Sequence, residues 1–414
     1  MNAIIINIGN ELLNGHTINT NAAYIAKKLW ETGISVIETI VIKDNAQAIY
    51  NAIEYAYSKA EIAICTGGLG PTTDDITKKS VCNYFNCSLV FDDTVWQHIR
   101  QLFEKRNIKL SEKNRSQAEV PQNAVILTNS IGTAPGLILT KNYFTFIALP
   151  GVPFEMQKLI DEEVIPFLIQ HQKLIPPYTE TLMFTDISES LLAEKVDSWD
   201  HLLRKNNIDV AYLPQPGIIK LKLFTPILTT EQKIILDKFI DFVQLELHEY
   251  LANIGDIPLE MLIGQLLKRK NQTLATAESC TGGNIAHHLT SIAGSSAYFK
   301  GSIVAYSNEI KMNVLHVPEK LILEHGAVSH PVVEAMAKGV LRLLQTDYAI
   351  AVSGIAGPDG GTAEKPVGTT WIAVASKNEI LTHKYIFNST RLINIERASM
   401  ASLTMLRKLI LKTT

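Results

Sequence analysis

Apolar residues in this chain fall into short continuous runs, separated by longer stretches in which they recur every three or four positions. Residues 3–8, Ala-Ile-Ile-Ile-Asn-Ile, predict a buried strand. Residues 21–30 predict a helix with Ala22, Ile25, Ala26 and Leu29 on one side. A strand at 36–42, a helix at 46–59 and a strand at 61–66 continue the alternation. Strands separated by helices of this length predict parallel βαβ units with right-handed crossovers. Further strands are predicted at 124–127, 136–140 and 143–149, and a helix from Pro153 to about Gln170.

The pattern breaks at His171-Gln-Lys-Leu-Ile-Pro-Pro177, where the proline pair blocks a helix and favours an extended connector. Beyond it, a strand (179–185), a helix (188–198), two strands (209–213 and 218–224) around Pro214-Gln-Pro-Gly217, and a helix (230–247) make a compact βαββα module. From Ile257 the alternation resumes. A helix (259–269), strands at 273–277, 302–305, 348–352, 369–375 and 381–387, and a closing helix near 393–411 are predicted. Between them, Val332, Val333, Met336, Ala337, Val340, Leu341 and Leu344 form an apolar helical stripe. The fold class is therefore α/β: two three-layer α/β/α domains, 1–172 and 256–414, joined by a small α+β module at 178–250.

Composition narrows the function. Across 414 residues, 46% are hydrophobic and 19% charged, a globular balance. The 38 Lys+Arg against 41 Asp+Glu leave a net charge of −3, so no global attraction to nucleic acid or anionic membrane is encoded. No run reaches membrane-span length, and the first residues lack the basic start of a signal peptide. Cys65, Cys82, Cys87 and Cys280 form no CxxC or Cys/His cluster, so a reducing cytoplasm is the expected location.

Three loops at predicted strand ends carry candidate chemistry. Thr66-Gly-Gly-Leu-Gly-Pro-Thr-Thr-Asp-Asp-Ile-Thr77 has Gly67, Gly68 and Gly70, which let backbone approach a ligand, and the carboxylates Asp74 and Asp75. Those carboxylates suit a hard divalent cation held against phosphates, or simply a helix cap. Glu11 and Asp44 end neighbouring strands at the same sheet edge, and each could equally be a turn residue. The second loop, Ala277-Glu-Ser-Cys-Thr-Gly-Gly283, puts Ser279 at a strand-to-helix turn, with the amides of Thr281, Gly282 and Gly283 able to meet an oxyanion or phosphate. The bases nearest in sequence are Tyr306 and Lys311: an amine freed of charge by burial, or a phenol relaying to it, can take the serine proton. The alternative is a serine cap, a core tyrosine and a solvated lysine. Third is the Gly/Pro-rich segment Ser353 to Gly368, long and poor in apolar anchors, able to wrap a small polar ligand.

Together with Gln117-Ala-Glu-Val-Pro121, Gly132-Thr-Ala-Pro-Gly136 and Leu149-Pro-Gly-Val-Pro-Phe-Glu155, these segments resemble the CinA (competence/damage-inducible) family over essentially the whole chain. The resemblance implies a MoaB/MogA-like first domain, a KH-type middle module and a C-terminal nicotinamide mononucleotide deamidase domain. It implies Ser279 as nucleophile activated by Tyr306 and Lys311, with no cofactor for that step. Thr281, Gly282, Gly283, Asn308, Gly354, Gly357, Gly361 and Thr362 would contact substrate, and Arg391 or Arg397 its phosphate. In the first domain it implies metal-dependent cleavage of ADP-ribose. There Asp44, Asp74 and Asp75 would hold magnesium or a similar ion, and Glu11, Gly67, Gly68 and Gly70 would contact the nucleotide.

Where the family pattern has Gly-Asp before the arginine, this chain has Ser389-Thr390-Arg391, and the middle module lacks a GxxG loop, so RNA is not an expected partner. Small nucleotides and a second copy of the chain are. Two other readings stand beside this one. In the first, the N-terminal cleavage is the main activity and the C-terminal site is regulatory. In the second, the protein is a non-catalytic partner in competence or recombination.

Overall fold

The computed structural model describes residues 1–70 and 76–412. Contacts group it into two compact units, one of residues 1–178 with 226–228, the other of 179–225 with 229–414.

The first unit is built on a six-stranded sheet ordered Ser35–Ile42, Asn2–Ile8, Ile62–Thr66, Phe144–Leu149, Gly136–Lys141, Val125–Leu127. Its central strands read as unbroken apolar runs because both faces are covered. Ala3 and Ile5 pack with Ile25, Leu29, Leu159 and Leu168 on one side, and Ile4 and Ile6 pack with Ile49, Ile53 and Val81 on the other. The helices Thr20–Glu31 and Ala46–Lys59 start where expected, capped by Asn19 and Asn45, whose side chains accept from Ala22 N and Ala48 N.

The parallel expectation holds for the first four strands only. Gly136–Lys141 and Val125–Leu127 run antiparallel, because only Asn142 and Tyr143 separate Gly136–Lys141 from Phe144–Leu149, and a parallel crossover needs about a dozen residues. The helix expected after the glycine loop is Thr77–Phe85, and beyond it lie elements the sequence pattern did not predict: helix Asp93–Lys105, and a small ribbon pairing Leu89–Phe91 with Glu119–Pro121.

In the second unit, the middle module is a four-stranded sheet ordered Asp209–Gln215, Ile218–Thr225, Tyr178–Thr185, Leu251–Ile254, with helices Glu189–Lys205 and Thr230–Glu246. Its last strand lies beyond the expected boundary at 250. The C-terminal sheet is ordered Phe299–Val304, Leu274–Glu278, Tyr348–Gly354, Thr369–Ser376, Ile380–Ile386, parallel across the first three strands and antiparallel beyond. One face is nearly all alanine (Ala275, Ala277, Ala349, Ala351, Ala373, Ala375). Small side chains there let the predicted stripe of helix His330–Leu344 lie close to the sheet. The other face, with Ile350, Val352 and Ile372, packs on helices Leu259–Lys270 and Arg391–Lys412, and the same core takes in Met183, Ile218 and Ala252 of the middle sheet.

A buried charge cluster pins three helices of this unit. His288, on helix Asn284–Thr290, lies 3.1 Å from Glu396 and 3.9 Å from Glu260. The carboxylates of Glu260 and Glu396 hold the imidazole pKa above its ordinary value despite partial burial. A raised value means the folded chain binds the proton more tightly than the unfolded one. The stabilisation is therefore full below about pH 6.5 and is lost as pH climbs through the folded value. His288→Gln should lower the melting temperature by about 2–4 °C at pH 6 and by less at pH 8.5. Equal losses at both pH values in a thermal-unfolding series would contradict this assignment.

Candidate functional site

Ser279 leaves the end of strand Leu274–Glu278 at a turn completed by Gly282 (φ 62°) and Gly283 (φ 100°), left-handed conformations that favour glycine. The serine is buried, and its Oγ lies 3.1 Å from Lys311 Nζ. Lys311 comes from the short helix Asn308–Asn313, capped by Ser307, whose hydroxyl accepts from Ile310 N. The lysine is 1% exposed, and Nζ also donates to the carbonyls of Ala305 at 2.8 Å and Tyr306 at 3.2 Å. No carboxylate is among these partners. Burial pushes the ammonium pKa down, with a small opposing effect from Cys280.

Tyr306 enters differently from expectation. Its carbonyl holds the lysine, but its phenol is 61% exposed and accepts from Arg391 Nη2 at 3.0 Å. It is neither a core tyrosine nor hydrogen-bonded to Ser279 or Lys311 through its ring. Arg391 also donates to the carbonyl of Gly357 at 2.6 Å, so one guanidinium clasps Tyr306 to the glycine-rich loop.

The amides assigned to an oxyanion are mostly in use. Gly282 N donates to Ser279 O, and Gly283 N donates to the carboxylate of Glu278 at 3.0 Å. Glu278, fully buried, also accepts from the amides of Ile285 and Ala286 and from the hydroxyls of Thr276 and Ser302. This carboxylate builds the turn that presents Ser279, a role sequence reasoning missed. Its signal was an acid one residue before the serine, at the start of a helix. What remains unpartnered, among the described residues, is the amide of Thr281 with the buried hydroxyls of Thr281 and Thr369, while the Cys280 amide meets only its own thiol.

The loop after Tyr348–Gly354 presses on this turn. A Cβ on Gly354 would stand 2.9 Å from Cys280 Sγ and 2.7 Å from Thr370 Oγ1, so only glycine allows the approach. Gly361 lies against Val367 N, and Thr362 closes a turn with Lys365, its Oγ1 accepting from Lys365 N. Both belong to the loop's exposed arm, and no hydrogen bond joins them to the serine. Asn308 is exposed at the first position of the Lys311 helix. Arg397 is separated from the serine by the choice of face: it lines a cavity against the middle module, which leaves Arg391 as the arginine of the serine site.

At the N-terminal sheet edge, Glu11 folds back over Gly9, where a Cβ would stand 2.2 Å from its Oε1. Glu11, Thr66 and Gly151 line one small cavity of about 100 Å³. Gly67 (φ 108°) packs its Cα face on the Ile8 carbonyl, and a Cβ on Gly68 would lie 3.7 Å from Asp44 Oδ1. Glu11 thus lies beside Thr66 and Gly151, and Gly68 beside Asp44, while the expected convergence with Asp74 and Asp75 falls on residues outside those described. Gly70 ends this described stretch, and Asp74 and Asp75 lie outside the described residues. Among the described residues, no three His, Cys, Asp or Glu side chains gather as a metal site, and no helix is long and apolar enough to cross a membrane.

Comparison with known proteins agrees with this arrangement. Residues 256–410 match a family model described as "CinA C-terminal domain", and residues 4–170 match "Probable molybdopterin binding domain". A CinA-like protein of Flavobacterium psychrophilum is 42% identical over 423 residues, spanning 100% of this chain and 99% of its own. One of Cytophaga hutchinsonii is 40% identical over 408 residues, spanning 98% and 97%. Among solved structures, a competence/damage inducible protein of Agrobacterium tumefaciens is 39% identical, with a TM-score of 0.36, covering 36% of this chain and 93% of that one. With relatives matched end to end at such identities, the chain belongs to the CinA family.

Proposed function

We propose that the C-terminal site hydrolyses the carboxamide of nicotinamide mononucleotide, giving nicotinate mononucleotide and ammonia. The observation that carries this reading is a buried lysine amine 3.1 Å from a serine hydroxyl, with no acid to keep it charged. A neutral amine has two N–H donors and one lone pair. The carbonyls of Ala305 and Tyr306 use the two donors and leave the lone pair for the Ser279 proton. Ser279 Oγ attacks the carboxamide carbon as its proton passes to Lys311, and the amides of Cys280 and Thr281 receive the oxyanion. The C–N bond then breaks as Lys311 returns the proton to the departing nitrogen, so ammonia leaves and an acyl-serine remains. Water, deprotonated by Lys311, attacks the ester, and the proton returns to Ser279 Oγ. Arg391 supplies the cation for the phosphate. The purified protein given nicotinamide mononucleotide should release one ammonia per nicotinate mononucleotide formed, with EDTA present throughout. Absence of ammonia release, or its loss with the chelator, would refute the reading.

A second activity is supported by Glu11 beside Thr66 and Asp44 beside Gly68 at the N-terminal edge: pyrophosphate cleavage of ADP-ribose. Asp44, with Asp74 and Asp75, offers the carboxylate oxygens that a magnesium-like ion takes. The ion would supply Lewis-acid polarisation of a phosphoryl oxygen. Chelation should stop this cleavage while leaving ammonia release intact.

A further inference from the structure

Arg397 and the Pro214-Gln-Pro-Gly217 turn, both conspicuous in the sequence, have no part in the serine chemistry. They meet in a second cavity of about 470 Å³ within the second unit, between the middle module and the C-terminal domain. We propose that this cavity is a separate binding site for a mononucleotide, a ligand joining one flat ring to one phosphate.

The aromatic half of the argument comes from the edge strand Ile380–Ile386 and the residue after it. Tyr385 and Phe387 line the cavity, stacked on each other with ring centres 5.3 Å apart and planes 8° from parallel. Both are half-buried, and Tyr385 also meets the His383 ring edge to face, so the pair gives the wall a rigid aromatic surface. A base can stack on such a surface whatever its identity. The cavity volume lies in the range that holds a small organic ligand.

The charged half is Arg397. It is half-buried and lines the same cavity, yet it makes no ion pair or hydrogen bond among the described residues. Two acids share the wall: Asp186 pairs with Lys408 at 2.5 Å, and Glu189 stands exposed at the start of its helix. The Arg397 fork is left for an external anion, and phosphate matches it in a bidentate way. Gln215 and Ser188, also in the wall, add neutral polar groups suited to ribose hydroxyls. The walls are held firmly: a Cβ on Gly217 would stand 2.9 Å from Met400 Cβ, so the turn sits directly on the Arg397 helix.

The cavity wall and the serine site share backbone elements. Arg397 shares its helix with Arg391, and Phe387 N donates to Gly368 O while Gly368 N donates to Ile355 O, two residues from the carbonyl Arg391 holds.

The test is photolabelling of the full-length protein with 8-azido-AMP and mapping of the labelled peptides. Label is expected on residues 380–387 or 214–219, displaced by AMP but not by adenosine or inorganic phosphate at equal concentration. Arg397→Gln should cut that labelling by about tenfold, the loss of one charge-assisted contact, and Arg397→Lys by less. Arg397 has no hydrogen-bond or ion-pair partner among the described residues, so circular dichroism and melting temperature should be unchanged in both variants. Label confined to other peptides, unchanged labelling in Arg397→Gln, or equal displacement by adenosine would overturn the proposal. None of these outcomes bears on ammonia release, which is read separately.

Discussion

Ser279→Ala should reduce ammonia release from nicotinamide mononucleotide by about 10³-fold or more, the scale on which removing a nucleophile acts in enzymes that form acyl intermediates. The fold should persist. The alanine keeps the backbone bond from residue 279 N to Val352 O, and Lys311 keeps its two carbonyls. The melting temperature should therefore stay within about 2 °C of the parent, a small change of the kind expected when no cavity or orphaned charge is created. Cys280, one residue along, is a neighbouring side chain with a more nucleophilic atom type. Its thiol is fully buried and pushed up to about 12, so it supplies essentially no thiolate near neutrality. Cys280→Ala should keep most of the turnover. An inactive Cys280→Ala beside an active Ser279→Ala would invert the assignment, and ammonia assays on the two proteins decide it.

The sequence pattern was most readable where packing alone decides structure. The runs at 2–8 and 62–66 have both faces covered, so their hydrophobicity is continuous and unambiguous. The Val332–Leu344 stripe was equally plain, since one helical face is buried and the other is not. Legibility failed between Leu89 and Pro121, where helix Asp93–Lys105 buries only Val95, Ile99 and Leu102 and the adjoining strands are three residues long. Strand direction also escaped, because it depends on connection length rather than composition. At the site, Ser279 and Lys311 were legible as residue types at strand ends. The position of the Tyr306 phenol was not, since the residue's main chain and ring serve different partners. Glu278 was hidden for a related reason. A fully buried acid one place before a nucleophile looks catalytic or incidental until the three amides it gathers are seen. Nor could any pattern divide Arg391 from Arg397, which lie on one helix, one reaching Tyr306 and Gly357 and the other lining the cavity beside the middle module.

Lys311→Met gives the second large effect, and it separates catalysis from stability. Methionine is unbranched and fills much of the same space, so the change removes the amine while largely keeping the packing. Ammonia release should fall by about 10²–10⁴-fold, the contribution of a positioned general base. The parent's rate should rise with pH through the depressed lysine pKa and then level, because only the free amine can accept the serine proton. In Lys311→Met that rise should vanish from whatever rate remains, and Lys311→Arg, charged at all accessible pH, should be inactive throughout. Stability should move the other way. Burial lowers the folded-state pKa below that of the unfolded chain, so between those two values the unfolded chain holds a proton that the folded chain has released. The parent therefore gains stability as pH rises across that interval and is penalised below it. The methionine variant carries no such penalty and should melt at the same temperature as the parent or a few degrees higher at pH 7, with a flatter dependence on pH up to 10. A variant that is both inactive and strongly destabilised would make Lys311 a structural residue. A stable variant without the acidic limb in its rate profile would leave proton transfer as the only role this amine can have.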